Sequence, residues 1–403
     1  MNRYIYKARD SKSGAIIKGV IQAENERAAG KLLIERGYTP DTVTEDTSGD
    51  SFFDKFKNKV TTKDKIVFAR QFSTLIGAGL PLSNSLRVLI EQTESKPMRR
   101  VTESILADVE AGKSLTQACA KFPEVFNRIY LALLKAGESS GTLDKSLRRL
   151  ADQQEKDHAM VTRIKNSLTY PAIVLAVIIA VLVFMVIAVV PQVQQLYHDL
   201  GKDLPMITKL LVEQTNFLVN MWWLVTIVIG LVIYFVFQFV RTDSGRHILA
   251  RIKLNIPVFK SMFWRLYNGR FARTAENLLS TGVSIQDTLA ISAEAINNLI
   301  MEEEIKEVSE KVKQGKTLSA SLKELDYILP LLPQMAAIGE ESGKIDEMLG
   351  KAANVYEDEL DQQINTISTL IEPIMLVIMA LMVAVIIAGV LMPIYQLVSQ
   401  IQK

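Results

Sequence analysis

Residues 136–144 read AGESSGTLD and residues 338–346 read IGEESGKID, nearly the same nine letters 202 positions apart. Neither copy carries an obvious catalytic or metal-binding set, so the duplication speaks first about architecture. Sliding the sequence against itself by 202 or 203 residues extends the match in both directions, the mark of an internal repeat. FARQFSTLIGAGLPLSNSL at 68–86 aligns with FARTAENLLSTGVSIQDTL at 271–289. Phe68, Phe72, Leu75 and Ile76 in one copy, and Phe271, Ala275, Leu278 and Leu279 in the other, fall at i, i+4, i+7 and i+8, one buried stripe of a helix. AGKSL at 111–115 pairs with QGKTL at 314–318, Pro171 with Pro373, and Pro191 with Pro393.

Between those prolines the sequence turns apolar. No charged residue occurs over 166–197, 214–240 or 373–402, and PAIVLAVIIAVLVFMVIAVV fills 171–190. About 20 apolar residues cross the hydrocarbon core of a bilayer as a helix. Soluble helices apolar on every side rarely reach that length, so three membrane helices are expected rather than three buried ones. The chain opens with the polar MNRYIYKARDSKSG, so no signal peptide is expected ahead of the first span.

Net charge is only +2, which gives no bias toward nucleic acid, but charge placement sets an orientation. Residues 145–165 carry six Lys or Arg against three acids, and residues 241–270 carry seven against one. The 192–215 loop has two Lys and three acids. Positive flanks stay inside, so the amino terminus is expected in the cytoplasm and the tail outside, with Trp222 and Trp223 in the outer interfacial belt. The expected division is a small α+β segment over 1–45, a linker over 46–62, helical bundle 1 over 63–169 and span 1 over 170–192. An external loop over 193–216, span 2 over 217–240, bundle 2 over 241–372, span 3 over 373–395 and an external tail over 396–403 follow. The fold class is thus an all-α integral membrane protein with two homologous cytoplasmic bundles and three transmembrane helices. Pro171, Pro191, Pro373 and Pro393 bracket spans 1 and 3. Span 2 is the return stroke, so the repeats run parallel, related most simply by a pseudo-twofold axis along the membrane normal. In the amino-terminal segment YIYKARD and IIKGVIQA read as strands around a turn at Gly14, and ENERAAGKLLIERG as a helix ended by Gly37.

Chemistry-bearing motifs are few. GKS at 112–114 and GKT at 315–317 lack the earlier glycine of a phosphate loop, since Ala107 and Glu310 stand there. A glycine ending a helix explains them better. His158, His198 and His247 form no zinc or triad pattern, so catalytic, cofactor and metal residues are all expected to be none. Cys119 reads as a small buried apolar residue. The acidic runs MEEEIKE at 301–307 and YEDELDQQ at 356–363 read as solvated helix faces, with an acidic partner surface or a bound cation as the rival. The spans hold no ionisable residue, the usual mark of an ion pathway. That leaves the nine letters. Apolar helix precedes and fresh helix follows each copy, so a tight corner is predicted, with Gly137 and Gly339 free to adopt positive φ. Glu138 and Glu340 are predicted to reach the amides that open the next helix. Gly137, Glu138, Ser140 and Gly141, with Gly339, Glu340, Ser342 and Gly343, are the candidates for a structural lock, a partner contact, or both.

ARQFSTLIGAGLPL, AGESSGTLD, GEESGKIDEML and IEPIMLVIMALMVAVIIAGVLMPIYQL, with three spans in this order, resemble the type II secretion system F family over nearly the whole chain. One departure is TGVSI at 281–285, where the pattern more often reads Gly-Leu-Pro-Leu as at 79–82, putting the local turn of the second bundle in question. The resemblance implies a non-enzymatic platform in the bacterial cytoplasmic (inner) membrane, N-terminus cytoplasmic and C-terminus periplasmic, working in a type IV pilus or a type II secretion machine. The partners it implies are a cytoplasmic hexameric ATPase, pilin or pseudopilin, other inner-membrane assembly proteins, membrane lipid and further copies of itself, a homo-oligomer of two or more. It implies no direct nucleic-acid contact. The competing class is an oligomeric membrane transporter or channel, suggested by the repeat and the spans.

Overall fold

A computed structural model describes residues 2–10, 16–23, 26–35, 38–45, 59–199, 209, 221–257, 259–391 and 394–395. The turn at Gly14, Gly37, most of the expected linker (46–58), most of the expected external loop (200–216 except 209), Pro393 and the tail 396–403 lie outside the described residues.

The amino-terminal unit is a three-stranded antiparallel sheet ordered β2-β1-β3, from β1 (Asn2–Asp10), β2 (Ile16–Ala23) and β3 (Tyr38–Glu45), plus helix α1 (Glu26–Glu35). Sequence reasoning anticipates β1, β2 and α1 and misses β3. Its YTPDTVTE carries Pro40 and Asp41, both strand breakers by composition. An edge strand tolerates a proline, and Pro40 lies opposite Ala8, beside a register shift between Lys7 and Ala8.

The first repeat contains α2 (Thr62–Gly77), α3 (Leu82–Gln92), α4 (Lys96–Glu110), α5 (Leu115–Ala120), α6 (Arg128–Ser140) and α7 (Leu143–Phe184). Helices α8 (Val190–Asp199), α9 (Trp222–Arg241) and α10 (Asp243–Asn255) lead to the second repeat. That repeat answers element for element with α11 (Lys260–Leu279), α12 (Ile285–Ile296), α13 (Leu299–Lys313), α14 (Leu318–Lys323), α15 (Leu331–Ser342) and α16 (Ile345–Ile386). The predicted stripes face inward: Phe68, Phe72, Phe271, Ala275 and Leu278 are buried, whereas Leu75, Ile76 and Leu279 are half-buried. In the first core Phe126 lies tilted between Phe68 and Tyr130, with ring centroids 5.9 and 4.9 Å apart. The second core is built on Phe271, Leu289, Ile305, Leu332 and Leu349. TGVSI does not alter its turn, because Gly79 and Gly282 both sit at φ +84°.

Among the described residues three helices are long and apolar enough to cross a membrane: the run Leu143–Asp199, Trp223–Arg241 and Ile345–Ile386. The boundaries expected at 169/170 and 372/373 fall inside single helices. At 1.5 Å per residue each 42-residue helix is about 63 Å long, twice a hydrocarbon core of roughly 30 Å, so bundle helix and span are one rod. Pro171 and Pro373 therefore lie within helices rather than at their ends. A π-helical turn follows each rod, at Met185–Val189 and at Ile387–Leu391. Residues 193–199, expected in a loop, are helical in α8, where Val190, Val193 and Tyr197 form a buried stripe at i, i+3 and i+7 that the intervening glutamines obscure.

The repeats do not meet about a twofold axis. Helix α6 packs against α11 and α12, but among the described residues α15 makes no contact of that extent with α2 or α3. Beside this contact α7 and α16 run parallel, Lys156 pairing with Glu357 at 2.9 Å and Arg163 with Asp361.

Candidate functional site

The duplicated corners form from the chain outward. Asn127 caps α6 by accepting from the Tyr130 amide at 2.9 Å, and Gly141 ends the helix at φ +71°. Gly343 ends α15 with the same φ. The amides of Gly141 and Thr142 both donate to the Gly137 carbonyl, and those of Gly343 and Lys344 to that of Gly339. The left-handed residues are thus Gly141 and Gly343, not the predicted Gly137 and Gly339, which are helical. The first glycine of each motif is needed for close approach. A Cβ on Gly137 would stand 2.5 Å from Ser146 Oγ, and one on Gly339 2.7 Å from the Ile345 Cα.

Glu138 and Glu340 do bind helix-opening amides, but those of α5 and α14, which precede the corner helices, rather than those of the helix after the corner. Glu138 Oε1 accepts from the Leu115 amide at 2.7 Å, and Oε2 accepts from the Thr116 amide at 3.2 Å and hydroxyl at 2.8 Å. Glu340 repeats this on the Leu318 amide and on the amide and hydroxyl of Ser319. Ser114 and Thr317 accept from Gln117 and Ala320 and complete the first turns of α5 and α14. A carboxylate here meets both the free donors and the positive end of the helix dipole. The GKS and GKT motifs lead into these caps, Gly112 and Gly315 ending α4 and α13 at φ +87° and +92°. Ser140 and Ser342 donate to the carbonyls of Ala136 and Ile338, both at 2.7 Å. Cys119 is buried under the first corner, and burial, with Glu138 nearby, pushes its thiol up to about 12, which makes it inert.

A second duplicated network escapes the apolar-stripe reading. Arg70 grips Glu155 with two bonds of 2.6 Å and Asp152 at 2.6 Å. Its counterpart Arg273 grips Glu357 at 2.7 and 2.8 Å and Asn354 at 2.5 Å. The arginine of FAR in both copies, and the glutamates that follow the corners at equal spacing, are the signal that would have found it. The hydrogen bonds it donates to Glu155 and Asp152 hold the Arg70 guanidinium above its usual range. Burial would push the Glu357 carboxyl up, but Arg273 and Lys156 prevail and hold it below the ordinary range. Glu357 thereby joins both repeats. The YEDELDQQ run is accordingly a bonding face toward other helices: Glu359 accepts from Arg265 at 2.5 Å. Around it a cleft of about 290 Å³ is lined by Asp157, Arg163, Arg270, Glu357 and Asp361.

A third repeated device ties the loop that enters the corner helix. Asn268, fully buried, donates to the Tyr327 carbonyl at 3.0 Å and accepts from the Leu329 amide at 3.0 Å. In the first repeat Lys65 donates to the Glu124 carbonyl, the same two positions with a different side chain. Among the described residues no group of three or more His, Cys, Asp or Glu is placed to hold a metal. The predicted candidates thus come together as two equivalent structural corners whose carboxylates are already occupied.

The family described as type II secretion system (T2SS), protein F, matches residues 68–191 and 271–393, the two repeats, and its N-terminal domain matches residues 1–44. The chain is 34% identical to the type IV pilus assembly protein PilC of Thermus thermophilus over 98% of both chains. It is 32% identical to the PilC of Myxococcus xanthus, covering 99% and 96%. It is also 33% identical to the type II secretion system protein F of Pseudomonas aeruginosa, covering 98% and 99%. With both repeats and the amino-terminal unit matched, the chain belongs to the type II secretion system protein F family.

Proposed function

We propose that this protein is the inner-membrane platform of a type IV pilus or type II secretion machine, coupling a cytoplasmic hexameric ATPase to the insertion or extraction of pilin or pseudopilin subunits. The observation that carries the reading is the joining of each corner to a span by one uninterrupted helix, Leu143–Phe184 and Ile345–Ile386. A push on a corner is delivered along such a rod into the membrane. The amino terminus, both bundles and the positive flank after span 2 face the cytoplasm, and the tail faces outward. The exposed backs of the corners, Ser139 and Ser140 in one copy and Glu341 and Ser342 in the other, offer the ATPase two similar handles. The role is that of a scaffold, a reading supported by the corner carboxylates being taken up in helix capping. The test is Ser139→Arg combined with Glu341→Arg in a filament-forming host, with membrane levels and thermal stability measured alongside. Loss of filaments or secretion, with an unchanged melting temperature and loss of ATPase co-purification, is expected. Full assembly by that variant overturns the corner as the contact.

A further inference from the structure

The contact between repeats uses two different surfaces, and among the described residues each has a counterpart that makes no equivalent contact with the other repeat. Within the chain, α6 faces the turn between α11 and α12 across a groove of about 620 Å³, lined by Leu131, Lys135 and Ala136 on one side and Gly282, Val283 and Ile291 on the other. Arg128 pairs with Glu294, Arg149 with the Ser280 hydroxyl, and Asn277 donates to Gln153 at 3.0 Å.

The counterpart of α6 is α15. A groove of about 460 Å³ runs along it, lined by Leu322, Pro330, Pro333, Gln334 and Ala337, with no residue of the first repeat in it. Ile338, at the place of Ala136, is 47% exposed, and Val355, at the place of Gln153, is 41% exposed. The counterpart of the α11–α12 turn is the α2–α3 turn, where Thr74, Gly77, Ala78, Gly79, Pro81 and Asn84 are all exposed. Both turns carry a left-handed glycine at φ +84°, so their backbones match.

We infer that the α15 groove of one chain receives the α2–α3 turn of a second copy, repeating between molecules the contact made within each. The substitutions along α15 run in the direction this requires. Where α6 and α7 have Arg128, Lys135, Ala136 and Gln153, the cap of α15, α15 itself and α16 have Pro330, Ala337, Ile338 and Val355. Opposite them, Leu80 and Val88 replace Val283 and Ile291 while Glu91 keeps the charge of Glu294, so a mostly apolar groove that carries Lys323 meets a turn of small, apolar and uncharged polar residues with one acid beside it. The centre of an interface between separate chains is depleted of charge in this way. The long helices show the same asymmetry. Glu155 and Ala159, the counterparts of Glu357 and Asp361, lie roughly 40° to 100° around α7 from the Lys156 and Arg163 that pair with those acids. A contact between unlike faces leaves one face free at each end and closes only when further copies join.

The test uses two differently tagged copies in one membrane, Thr74→Cys on one and Val355→Cys on the other, with a thiol cross-linker. A two-chain product carrying both tags is expected, and neither substitution alone gives it. Gln153→Cys with Asn277→Cys in a single chain serves as the control that the internal contact is formed. Linkage of that control without any mixed-tag product overturns the inference, as does a Val355-to-Val355 product, which marks a contact between like faces. Independently, Ile338→Asp is expected to reduce the mass of the complex in lipid discs to a single chain. A wild-type complex already of one chain, or an unchanged mass in the variant, also overturns it. Neither readout depends on what the machine exports or assembles.

Discussion

Glu340 and Glu138 each satisfy the open end of a short helix with one carboxylate, so their removal strands buried amides as well as deleting bonds. A charge-assisted bond contributes about 1.5–3 kcal/mol, and Glu340→Ala is expected to lower stability by about 2 kcal/mol. Thermal melting of the full chain in detergent checks this, and Glu340→Gln should recover part of the loss, since its carbonyl oxygen can still accept. Both motif glycines are confined by atoms that cannot rotate aside: a methyl on Gly339 meets the Ile345 Cα at 2.7 Å, and one on Gly137 meets the Ser146 Cβ at 2.8 Å. Gly339→Ala and Gly137→Ala should each destabilise the chain, with about 1–3 kcal/mol typical of overpacking, as melting temperatures would show. A different signature belongs to Glu304. Burial, with Asp326 and Glu307 beside it, pushes its carboxyl up to about 7 from the ordinary 4.5. Because the folded value is the higher one, the contribution of Glu304 to stability is fullest below pH 4.5 and is lost as pH rises toward 7. Glu304→Gln should flatten that decline, and melting temperatures across pH 4 to 8 measure it; an equal slope in the variant refutes the assignment.

At the scale of elements, composition and periodicity reveal the spans, the repeat and the corner, because each is a local signal that burial or lipid reinforces. What stays hidden depends on partners distant in sequence. Nothing near Glu138 says that its amides lie 22 and 23 residues earlier, and nothing in Pro40 says that its strand lies at a sheet edge. Likewise the prolines bracketing the spans read as boundaries, yet Pro171 is absorbed within a helix, as neighbouring groups in membrane helices permit. Pro191 acts differently. It has no amide proton and its ring crowds the carbonyl four residues back, and the widened π turn at Met185–Val189 relieves that clash. Pro191→Ala should let α7 and α8 join as one α-helix, turning α8 by roughly 100°. A cysteine scan over residues 192–198 should show its pattern of labelling shifted by one position. The same scan settles orientation. Gln195→Cys and Ser261→Cys are both exposed, and an impermeant thiol reagent should reach only the first from outside. Cys119 cannot report sidedness, because burial alone makes it unreactive.

Across the whole molecule, the rods matter more than any one contact. Exposed ion pairs such as Arg163–Asp361 contribute only about 0.2–1 kcal/mol each, too little to transmit force on their own. A continuous helix resists bending at every hydrogen bond, so motion at a corner reaches the span undiminished only while the helix between them stays whole. Ser167→Gly with Leu168→Gly places a soft hinge in α7 at two positions outside the bundle core. Each glycine costs roughly 1 kcal/mol of helix stability, which the packed bundle tolerates. The double variant should therefore insert, fold and bind its neighbours at wild-type levels, yet assemble far fewer filaments or secrete far less. Glycines at Glu103 and Ala107, both exposed on α4, are the control for local softening without a hinge in the rod. If the hinged rod supports full assembly, force does not travel through α7, and the continuity of bundle and span serves anchoring alone.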